Sequence, residues 1–430
     1  MIGLKRNLIK RQCENNPIRV CLVGAGMMGK GFVSQVTRVK GMETSVVCSN
    51  KIEDCYKALE FAGIEKENII TAKKTQDIDK ALEQGKYAVT DDWRIAVKSG
   101  LVDVVLDATG VPETGANIAY NAINEGKHIV MLNVEADVVV GPYLNKLAEE
   151  KGVVYTGSAG DEPGAALELY DFATISGFEV LAIGKGKNNP LDYYITPDMV
   201  EEEAIRKGLK PLRLASFIDG TNTMVELAAM ANATGFVPDI RGAHGVTAKV
   251  EDMPKIYSLK ENGGILNKYG IVDYTHGIAP GVYAIITTDL PVVHKEMQFL
   301  KMGDGPNYIL YRPYHLTSLE TPISIAKAAI LNEPSIVPKS NHPYAEVITR
   351  AKKDLKKGEH LDGIGEYTVF GSIDSYETAK KENLVPIGLI NKKATVTRNI
   401  KKGEYLTYED VNLDTDSMLY KLRKLQDDNN

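Results

Sequence analysis

A glycine-rich turn near the start of the chain constrains its fold most strongly. The segment "LVGAGMMGKGF" sets Gly24, Gly26 and Gly29 in GxGxxG spacing, after the apolar run "IRVCLVGAG" and at the start of the helical pattern "KGFVSQVTRVKG". In that context Gly24 permits a tight turn, Gly26 lets the backbone approach a diphosphate, and Gly29 lets helix and strand pack closely. The motif therefore predicts a strand–turn–helix unit that binds a dinucleotide. A tight turn without a ligand is the alternative.

Apolar runs alternate with helical patterns through the rest of the N-terminal part, for example in "VDVVLDATG" and "PYLNKLAEEKGVVYTGSAG". Such alternation indicates parallel βαβ units. We therefore predict an α/β fold whose Rossmann-type, doubly wound parallel sheet spans 17–165, after an N-terminal extension over 1–16. The charged, helix-rich stretch between 53 and 100 is expected to be a solvent-facing insertion.

The pattern changes twice after that domain. The runs "GFEVLAIGKG", "GVYAIITT" and "NYILYRPYH" read as strands separated by Gly, Pro and Asp clusters, which predicts an α+β domain for substrate binding and oligomerisation over 166–345. Over 346–430, "AKKDLKKGEHLDG" and "ATVTRNIKKGEYLTYEDV" look like two copies of one phrase, which predicts a small β-rich module. A lid or assembly role without chemistry is favoured for it.

Composition excludes several classes of protein. The 430 residues are 43% hydrophobic and 25% charged, as in ordinary globular domains, and the net charge of −6 argues against nucleic acid or an anionic membrane as partner. All 4 cysteines lie in the first 60 residues without a CxxC pair, so reduced thiols are expected. The charged start "MIGLKRNLIKRQCENN" does not resemble a signal peptide. We expect a cytoplasmic protein that acts on small molecules.

The end of the second predicted strand bears on which dinucleotide is bound. A carboxylate there would bind the ribose 2′-hydroxyl of NAD(H), but "SVVCSNK" offers Ser49, Asn50 and Lys51. We therefore predict a preference for NADP(H), unless Lys51 simply points into solvent. The other residues expected to line the cofactor site are Met27, Met28, Ala108, Thr109, Gly110 and Asn133.

The first domain resembles homoserine dehydrogenase. The resemblance rests on "DATGVPETGANIAYNAINEGKHIVMLN", which ends at Asn133, and on "YTGSAGDEPGA". It weakens in the second domain, because Asn222 and Glu226 stand where that family carries an aspartate and a lysine. A carboxylate in place of an ammonium would repel the carboxylate end of homoserine at short range, so homoserine oxidation is not expected.

Over nearly its whole length the chain resembles the homoserine-dehydrogenase-like family that carries a C-terminal SAF-type module. The matching phrases are "GKGKNNP", "GDGPNYILYRPYHLTSLETP" and "AKKDLKKGEHLDGIGEYTVFG". That family includes enzymes similar in activity to 1-deoxy-D-xylulose 5-phosphate reductoisomerase and to sugar-acid oxidoisomerases. The resemblance implies NADPH-linked reduction coupled to rearrangement of a carbon skeleton.

Candidate substrate residues cluster in four segments. Lys185, Lys187, Asn188 and Asn189 form a donor-rich, glycine-rich turn suited to a phosphate or a sugar-acid carboxylate, the alternative being a solvated basic loop. The other candidates are Asp161 and Glu162, which would hold Mg²⁺ or Mn²⁺ or act as acid and base; Asp219 and Asn222, expected to face the substrate; and Arg312 and His315. The alternatives are a helix-start pair at Asp161 and Glu162, stabilised by the helix dipole, and a structural His315.

Glu226 has two possible roles. Thr223 and Glu226 have capping-box spacing, in which each side chain bonds the other residue's backbone amide, so we expect Glu226 to cap its helix; catalysis is the alternative.

Together these features predict an NADP(H)-dependent oxidoreductase, of the reductoisomerase type, acting on a small anionic sugar-like substrate, as a homodimer or homotetramer. Lys185, Lys187, Asp219, Glu162 and His315 are the expected catalytic residues. A plain dehydrogenase of a hydroxy acid and a non-catalytic nucleotide-binding protein are the alternatives. The lysines of the C-terminal module could also bind an anion themselves, although such runs are usually solvated.

Overall fold

In the computed structural model, which describes residues 2–428, the chain divides into two compact units. The first unit contains residues 2–164, 316–337 and 422–428, and the second contains residues 165–315 and 338–421. Among the described residues, no helix is long and apolar enough to cross a membrane.

The first unit is built on a seven-stranded parallel sheet. Its strands are β1 Ile18–Val23, β2 Met42–Cys48, β3 Ile69–Thr71, β4 Tyr87–Thr90, β5 Val104–Asp107, β6 His128–Met131 and β7 Tyr155–Gly157. Its helices are α1 Ile2–Cys13, α2 Met27–Val36, α3 Ile52–Phe61, α4 Thr75–Glu83, α5 Trp93–Val97, α6 Pro112–Asn124 and α7 Val134–Lys151. Helix α8, Glu162–Ile175, leads out of this unit into the second.

The strand order β3-β4-β2-β1-β5-β6-β7 confirms the predicted doubly wound sheet. The chain builds outward from β1 in one direction and then returns to add β5 on the other side, so the carboxyl ends of β1 and β5 flank a crevice. The buried side chains of β1, including Ile18, Val20 and Leu22, pack into one core with Phe32 and Val33 of α2.

The prediction of a solvent-facing insertion between 53 and 100 is wrong. Strands β3 and β4 both belong to this segment, and β4 pairs with β2 inside the sheet. Ala88, Val89 and Thr90 are fully buried. The two strands contain only three and four residues, so they are too short for their alternation to stand out from the charged helices around them.

The second unit contains a mixed sheet in the order β10-β11-β8-β12-β13, and β9 also pairs with β11. These strands are β8 Glu179–Lys187, β9 Val237–Pro238, β10 Val246–Thr247, β11 Ile271–His276, β12 Val282–Thr287 and β13 Asn307–Arg312. Its helices here are α9 Glu201–Arg206, α10 Pro211–Ile218, α11 Thr221–Thr234, α12 Met253–Ile256 and α13 Pro291–Phe299. Strands β8 and β11 run parallel, and β12 runs antiparallel to both β8 and β13. The three predicted strands are confirmed as β8, β12 and β13.

The segment 316–337 returns to the first unit and includes α14, Thr321–Ala326. Residues 338–421 group with the second unit and carry two small antiparallel sheets. Their elements are β14 Ala345–Ala351, β15 Val369–Ser375, α15 Tyr376–Lys381, β16 Thr395–Val396 and β17 Val411–Asn412, and α16 Met418–Asp428 ends the described chain.

The two copies of the C-terminal phrase adopt the same turn. In each, the glycine has a positive φ, 82° at Gly358 and 85° at Gly403, and the glutamate that follows accepts from the backbone N–H of the first lysine of the turn. The copies also bond to each other, since Leu355 and Ile400 exchange both backbone hydrogen bonds at 2.8 and 2.9 Å. The repeat seen in the sequence is therefore a structural repeat.

Candidate active site

The glycine-rich turn has the shape that a dinucleotide requires. Gly24 has a φ of +109°, and a Cβ there would lie 2.6 Å from the carbonyl of Ala108; a Cβ at Gly29 would lie 2.1 Å from the Gly24 carbonyl oxygen. At Gly26, by contrast, a Cβ would meet nothing within 4 Å. Gly26 is the N-cap of α2 and makes no side-chain cap, so open space lies where a diphosphate would reach the start of the helix.

Asn133 shapes the opposite wall of that crevice. It is fully buried, and its side-chain amide donates to Asp107 Oδ2 and to the Val111 carbonyl oxygen, both at 3.0 Å. These bonds fix the turn that contains Ala108, Thr109 and Gly110. Burial raises the pKa of Asp107 to about 6, opposed by hydrogen bonds from Thr109 and Asn133.

Alanine at two of the glycines separates folding from cofactor binding. We expect Gly26→Ala to leave the melting temperature near that of the wild type but to weaken dinucleotide binding by about tenfold or more, because its methyl group occupies the diphosphate's approach. Gly29→Ala is expected to lower the melting temperature, because its Cβ has no room. Calorimetric titration with NADPH and NADH, with thermal unfolding beside it, measures both. Unchanged binding by Gly26→Ala would contradict a dinucleotide role for this turn.

In the second unit, charged side chains meet where two parallel strands end. Strand β8 ends at Lys187 and strand β11 ends at His276, and these two residues are register partners. Helix α11, which starts at Thr221, packs against both strands. We call Lys185, Lys187, Asn222, Glu226 and His276 the Lys187 cluster.

The lysines of the cluster are strand residues. The expectation that Lys185 and Lys187 lie on a glycine-rich turn, and the alternative of a solvated loop, are both wrong, because both residues are in β8 and about 5–6% exposed. The intervening glycines explain the pattern. A Cβ at Gly184 would lie 1.9 Å from the Asp273 carbonyl oxygen, and one at Gly186 would lie 2.5 Å from the Ala279 backbone. Alternation then places both lysines on the opposite face.

Glu226 is an ion-pair partner and does not cap its helix. Its carboxylate accepts from Lys185 Nζ at one oxygen and from Asn222 Nδ2 at the other. The capping-box prediction is wrong because the helix begins three residues earlier than that spacing implies. Its N-cap is Gly220, with a φ of 86°, and Asp219 Oδ1 accepts from the Thr221 N–H at 2.8 Å. Glu226 therefore lies in the second turn and faces β8.

Lys187 carries a charge that the cluster does not neutralise. Its Nζ donates to the Phe217 carbonyl oxygen at 2.7 Å, and within residues 2–428 no carboxylate lies within ion-pair distance of it. Burial lowers the pKa of Lys187 to about 8, with a further contribution from the Lys185 charge, while Glu226 and Asp219 oppose the shift. Burial also lowers the pKa of His276, and Lys187 adds to that effect. Because Lys185 and Glu226 cancel, the cluster retains one positive charge.

Asp219, which we expected to face the substrate, is fully buried. Its Oδ2 lies 2.7 Å from Lys352 Nζ, so a lysine of the C-terminal segment is its partner. Burial raises the pKa of Asp219, and the Lys352 charge opposes this effect. Lys352 is also buried, unlike the solvated lysines expected in that segment.

The remaining predicted residues lie at several places. Arg312 ends edge strand β13 and forms an ion pair of 2.9 Å with Glu168, two strands away from Lys185. Asn188 and Asn189 directly follow β8, and His315 follows β13. Asp161 and Glu162 lie in the first unit, where Glu162 opens α8. Ser49, Asn50 and Lys51 follow β2 as predicted, and Met27 and Met28, both partly exposed, open α2.

Sequence reasoning missed His276 and the Phe217 carbonyl group. His276 could have been found, because "IVDYTHG" has the length and composition of a strand, and the carboxyl ends of parallel strands meet at one edge of a sheet. The Phe217 carbonyl group carried no signal, because every residue has one.

Two family models match the chain. The model for the NAD-binding domain of homoserine dehydrogenase matches residues 24–156, and the model for the catalytic domain of oxidoreductase DRL matches residues 160–321. No curated protein matches the chain.

Several solved structures show distant similarity. A probable dehydrogenase from Thermotoga maritima is 15% identical, with a TM-score of 0.40 over 75% of this chain and 90% of its own. Scyllo-inositol dehydrogenase from Lactobacillus casei, with bound NAD(H) and scyllo-inositol, is 13% identical, with a TM-score of 0.38 over 69% of this chain and 76% of its own. The 3-ketoreductase KijD10 from Actinomadura kijaniata, in complex with NADP, is 15% identical, with a TM-score of 0.28 over 41% of this chain and 50% of its own.

The two family models match consecutive stretches of the chain, and the NAD-binding model includes the glycine-rich turn of the first unit. The protein is therefore an NAD(P)-dependent oxidoreductase, similar over residues 24–156 to the NAD-binding domain of homoserine dehydrogenase and over residues 160–321 to the catalytic domain of oxidoreductase DRL.

Proposed function

We propose that the protein is an NADP(H)-dependent oxidoreductase that acts on a small phosphorylated or carboxylated sugar-like substrate in a reductoisomerase-type reaction. The observation that carries this proposal is the buried positive charge of Lys187, next to a Lys185–Glu226 pair that is already neutral. A buried cation without a carboxylate partner favours an anionic ligand or a developing oxyanion, because burial weakens the competition from water.

The side chains of the Lys187 cluster would have different roles in the reaction. Lys187, in its protonated form, donates to a substrate oxygen and gives up its proton as negative charge develops there. Glu226 holds Lys185 in place, and Asn222 fixes the carboxylate of Glu226. When bound, the nicotinamide dinucleotide supplies the hydride. In the rearranging reaction, the Lys187 charge would stabilise an enediolate-like oxygen.

A divalent cation belongs to the same proposal. Asp161 and Glu162 are adjacent carboxylates, both partly exposed at the start of α8, and carboxylate oxygens are the ligands that Mg²⁺ and Mn²⁺ prefer. These two residues would hold the ion, whose chemistry there would be to polarise a substrate oxygen. Omission and restoration of Mg²⁺ or Mn²⁺ after chelation tests whether turnover requires it.

The first experiment is a thermal-shift titration with NADPH, NADP⁺ and NADH, repeated with a panel of sugar phosphates and sugar acids, with and without Mg²⁺ or Mn²⁺. A ligand that binds only the folded state raises the melting temperature. We expect NADPH to stabilise the protein, one panel class to stabilise it further, and that class to support NADPH oxidation. Turnover on a simple hydroxy acid would favour a plain dehydrogenase. Tight NADPH binding without turnover on any member would favour a non-catalytic nucleotide-binding protein.

The preference for NADP(H) has a direct test at Lys51. Lys51 is exposed after β2, where no carboxylate precedes it to bind a ribose hydroxyl. We expect Lys51→Asp to weaken NADPH binding by about tenfold or more, through repulsion of the 2′-phosphate, and to leave NADH binding unchanged or tighter. Lys66→Asp, an exposed substitution in the same unit, is the matched control. Equal affinity of the wild type for NADH and NADPH, unchanged in Lys51→Asp, would contradict the preference.

A further inference from the structure

Lys352, in the C-terminal segment 338–421, contacts both the turn before α11 and the loop that follows β8. Its Nζ lies 2.7 Å from Asp219 Oδ2 and donates at 2.9 Å to the carbonyl oxygens of Ile195 and Glu366. The Lys352 side chain is 1% exposed and that of Asp219 is 0% exposed. Lys352 is therefore a buried cation whose contacts all belong to the second unit.

Two of these contacts restrain segments next to the cluster. Asp219 precedes α11 and accepts from the Thr221 N–H, so its position sets the start of the helix that carries Asn222 and Glu226. Ile195 belongs to the loop 188–195, which directly follows Lys187. One ammonium group thus joins the helix start to the loop after β8.

Other contacts with the C-terminal segment support the same arrangement. The Gly371 N–H donates to Thr221 Oγ1 at 2.9 Å, which ties β15 to the first residue of α11. The ring of Tyr193, in the loop 188–195, stacks on Phe370 of β15 with centroids 5.1 Å apart. The same loop is held from α10, since the Asp192 N–H donates to the Ile218 carbonyl oxygen at 3.0 Å.

We propose that Lys352 is a positioning residue for the Lys187 cluster, which it acts on by fixing the turn before α11 and the loop after β8. The C-terminal segment is then part of the site's architecture, in place of the lid or assembly role favoured from its sequence. The effect on catalysis rests on the proposed function, whereas the effect on the two segments does not.

The test compares Lys352→Met, Asp219→Asn and the double variant with the wild type by hydrogen–deuterium exchange and urea denaturation. Lys353→Met is the matched control, because the neighbouring side chain is half exposed and pairs with Glu359 at the surface. We expect Lys352→Met to raise amide exchange about tenfold in peptides covering 188–196 and 217–226, since a buried cation, two hydrogen bonds and one ion pair are lost. Lys353→Met should change neither peptide.

The double variant separates positioning from general stability. Either single change breaks a buried charge pair, whereas the double variant leaves a neutral interior, so its denaturation midpoint should recover toward the wild type. Exchange in 188–196 should stay raised, because methionine cannot donate to the Ile195 carbonyl oxygen. Once a substrate is known, kcat/KM should stay low in the double variant for the same reason.

Two results would overturn the proposal. One is unchanged exchange in both peptides of Lys352→Met, or of the double variant if the single variant does not fold. The other is exchange that recovers together with the midpoint in the double variant, which would make the pair a stabilising contact only. If the wild type shows no NADPH-linked turnover, the proposed function fails, while the exchange data still decide the role of Lys352.

Discussion

Replacing Lys187 with methionine is expected to lower kcat/KM by about 10³-fold, the range found for removal of a positioned general acid. The wild type should lose reductive activity as the pH rises through about 8, because the pKa of Lys187 is lowered to about 8 and only the protonated form can donate. Lys187→Arg keeps its charge at all these pH values, so its residual activity should stay flat through pH 8. Steady-state rates between pH 6 and 10 measure both effects.

The stability of the same variants provides the control. Folding lowers the pKa of Lys187, so burial of its charge opposes folding below about pH 8, and this cost is relieved as the pH rises toward the unfolded value of 10.5. Lys187→Met should therefore be at least as stable as the wild type at pH 7. At higher pH the unfolding free energy of the wild type should increase relative to that of Lys187→Met. Full turnover by Lys187→Met would contradict the acid role, and unfolding of this variant at pH 7 would contradict the expected stability.

Replacing Glu226 with glutamine is expected to cost about 3 kcal/mol of unfolding free energy, because it breaks a buried ion pair by removing the carboxylate charge beside Lys185. Both side chains of the pair are 7% exposed, so solvent screens the charge little. Glutamine still offers a carbonyl oxygen to Lys185, which places the loss at the low end for broken buried pairs. Urea denaturation at pH 7 measures the change.

Two further variants show whether the loss of stability in Glu226→Gln comes from the broken buried pair. Lys185→Met combined with Glu226→Gln removes both charges and should regain most of the lost stability. Glu203→Gln, which disrupts an exposed pair with Lys207 in the same unit, should change nothing measurable. Preserved kcat with a lowered melting temperature in Glu226→Gln would assign Glu226 a structural role. Unchanged stability would show that the buried pair does not form.

Local patterns in the sequence predicted most of the fold. The sequence predicted strands β1, β2 and β5 and the glycine-rich turn. A parallel strand that is buried on both faces is a continuous apolar run, and in this fold helical periodicity follows it at a short distance. Strands β3 and β4 were missed because they are three and four residues long. The repeated lysine–glycine–glutamate phrase could be recognised in the sequence because each copy needs a glycine with positive φ at the same place.

The candidate site was predicted only in part. Lys185 and Lys187 stood out by composition, but the sequence did not show that they are strand residues. The reason is that Gly184 and Gly186, which alternate with them, are crowded by Asp273 and Ala279, and these neighbours are known only from the structure. Glu226 was assigned to a cap because capping is a local rule, whereas its actual partner is 41 residues away.

The sequence by itself determined the dinucleotide-binding turn and the α/β class, because each depends on residues within about one helical turn or one strand of each other. Only the tertiary structure decided which charges cancel. It pairs Glu226 with Lys185 and Asp219 with Lys352, and so leaves Lys187 as the buried cation of the cluster within the described residues. Electrostatic energy depends on distance in space and on burial, and neither is set by separation along the chain.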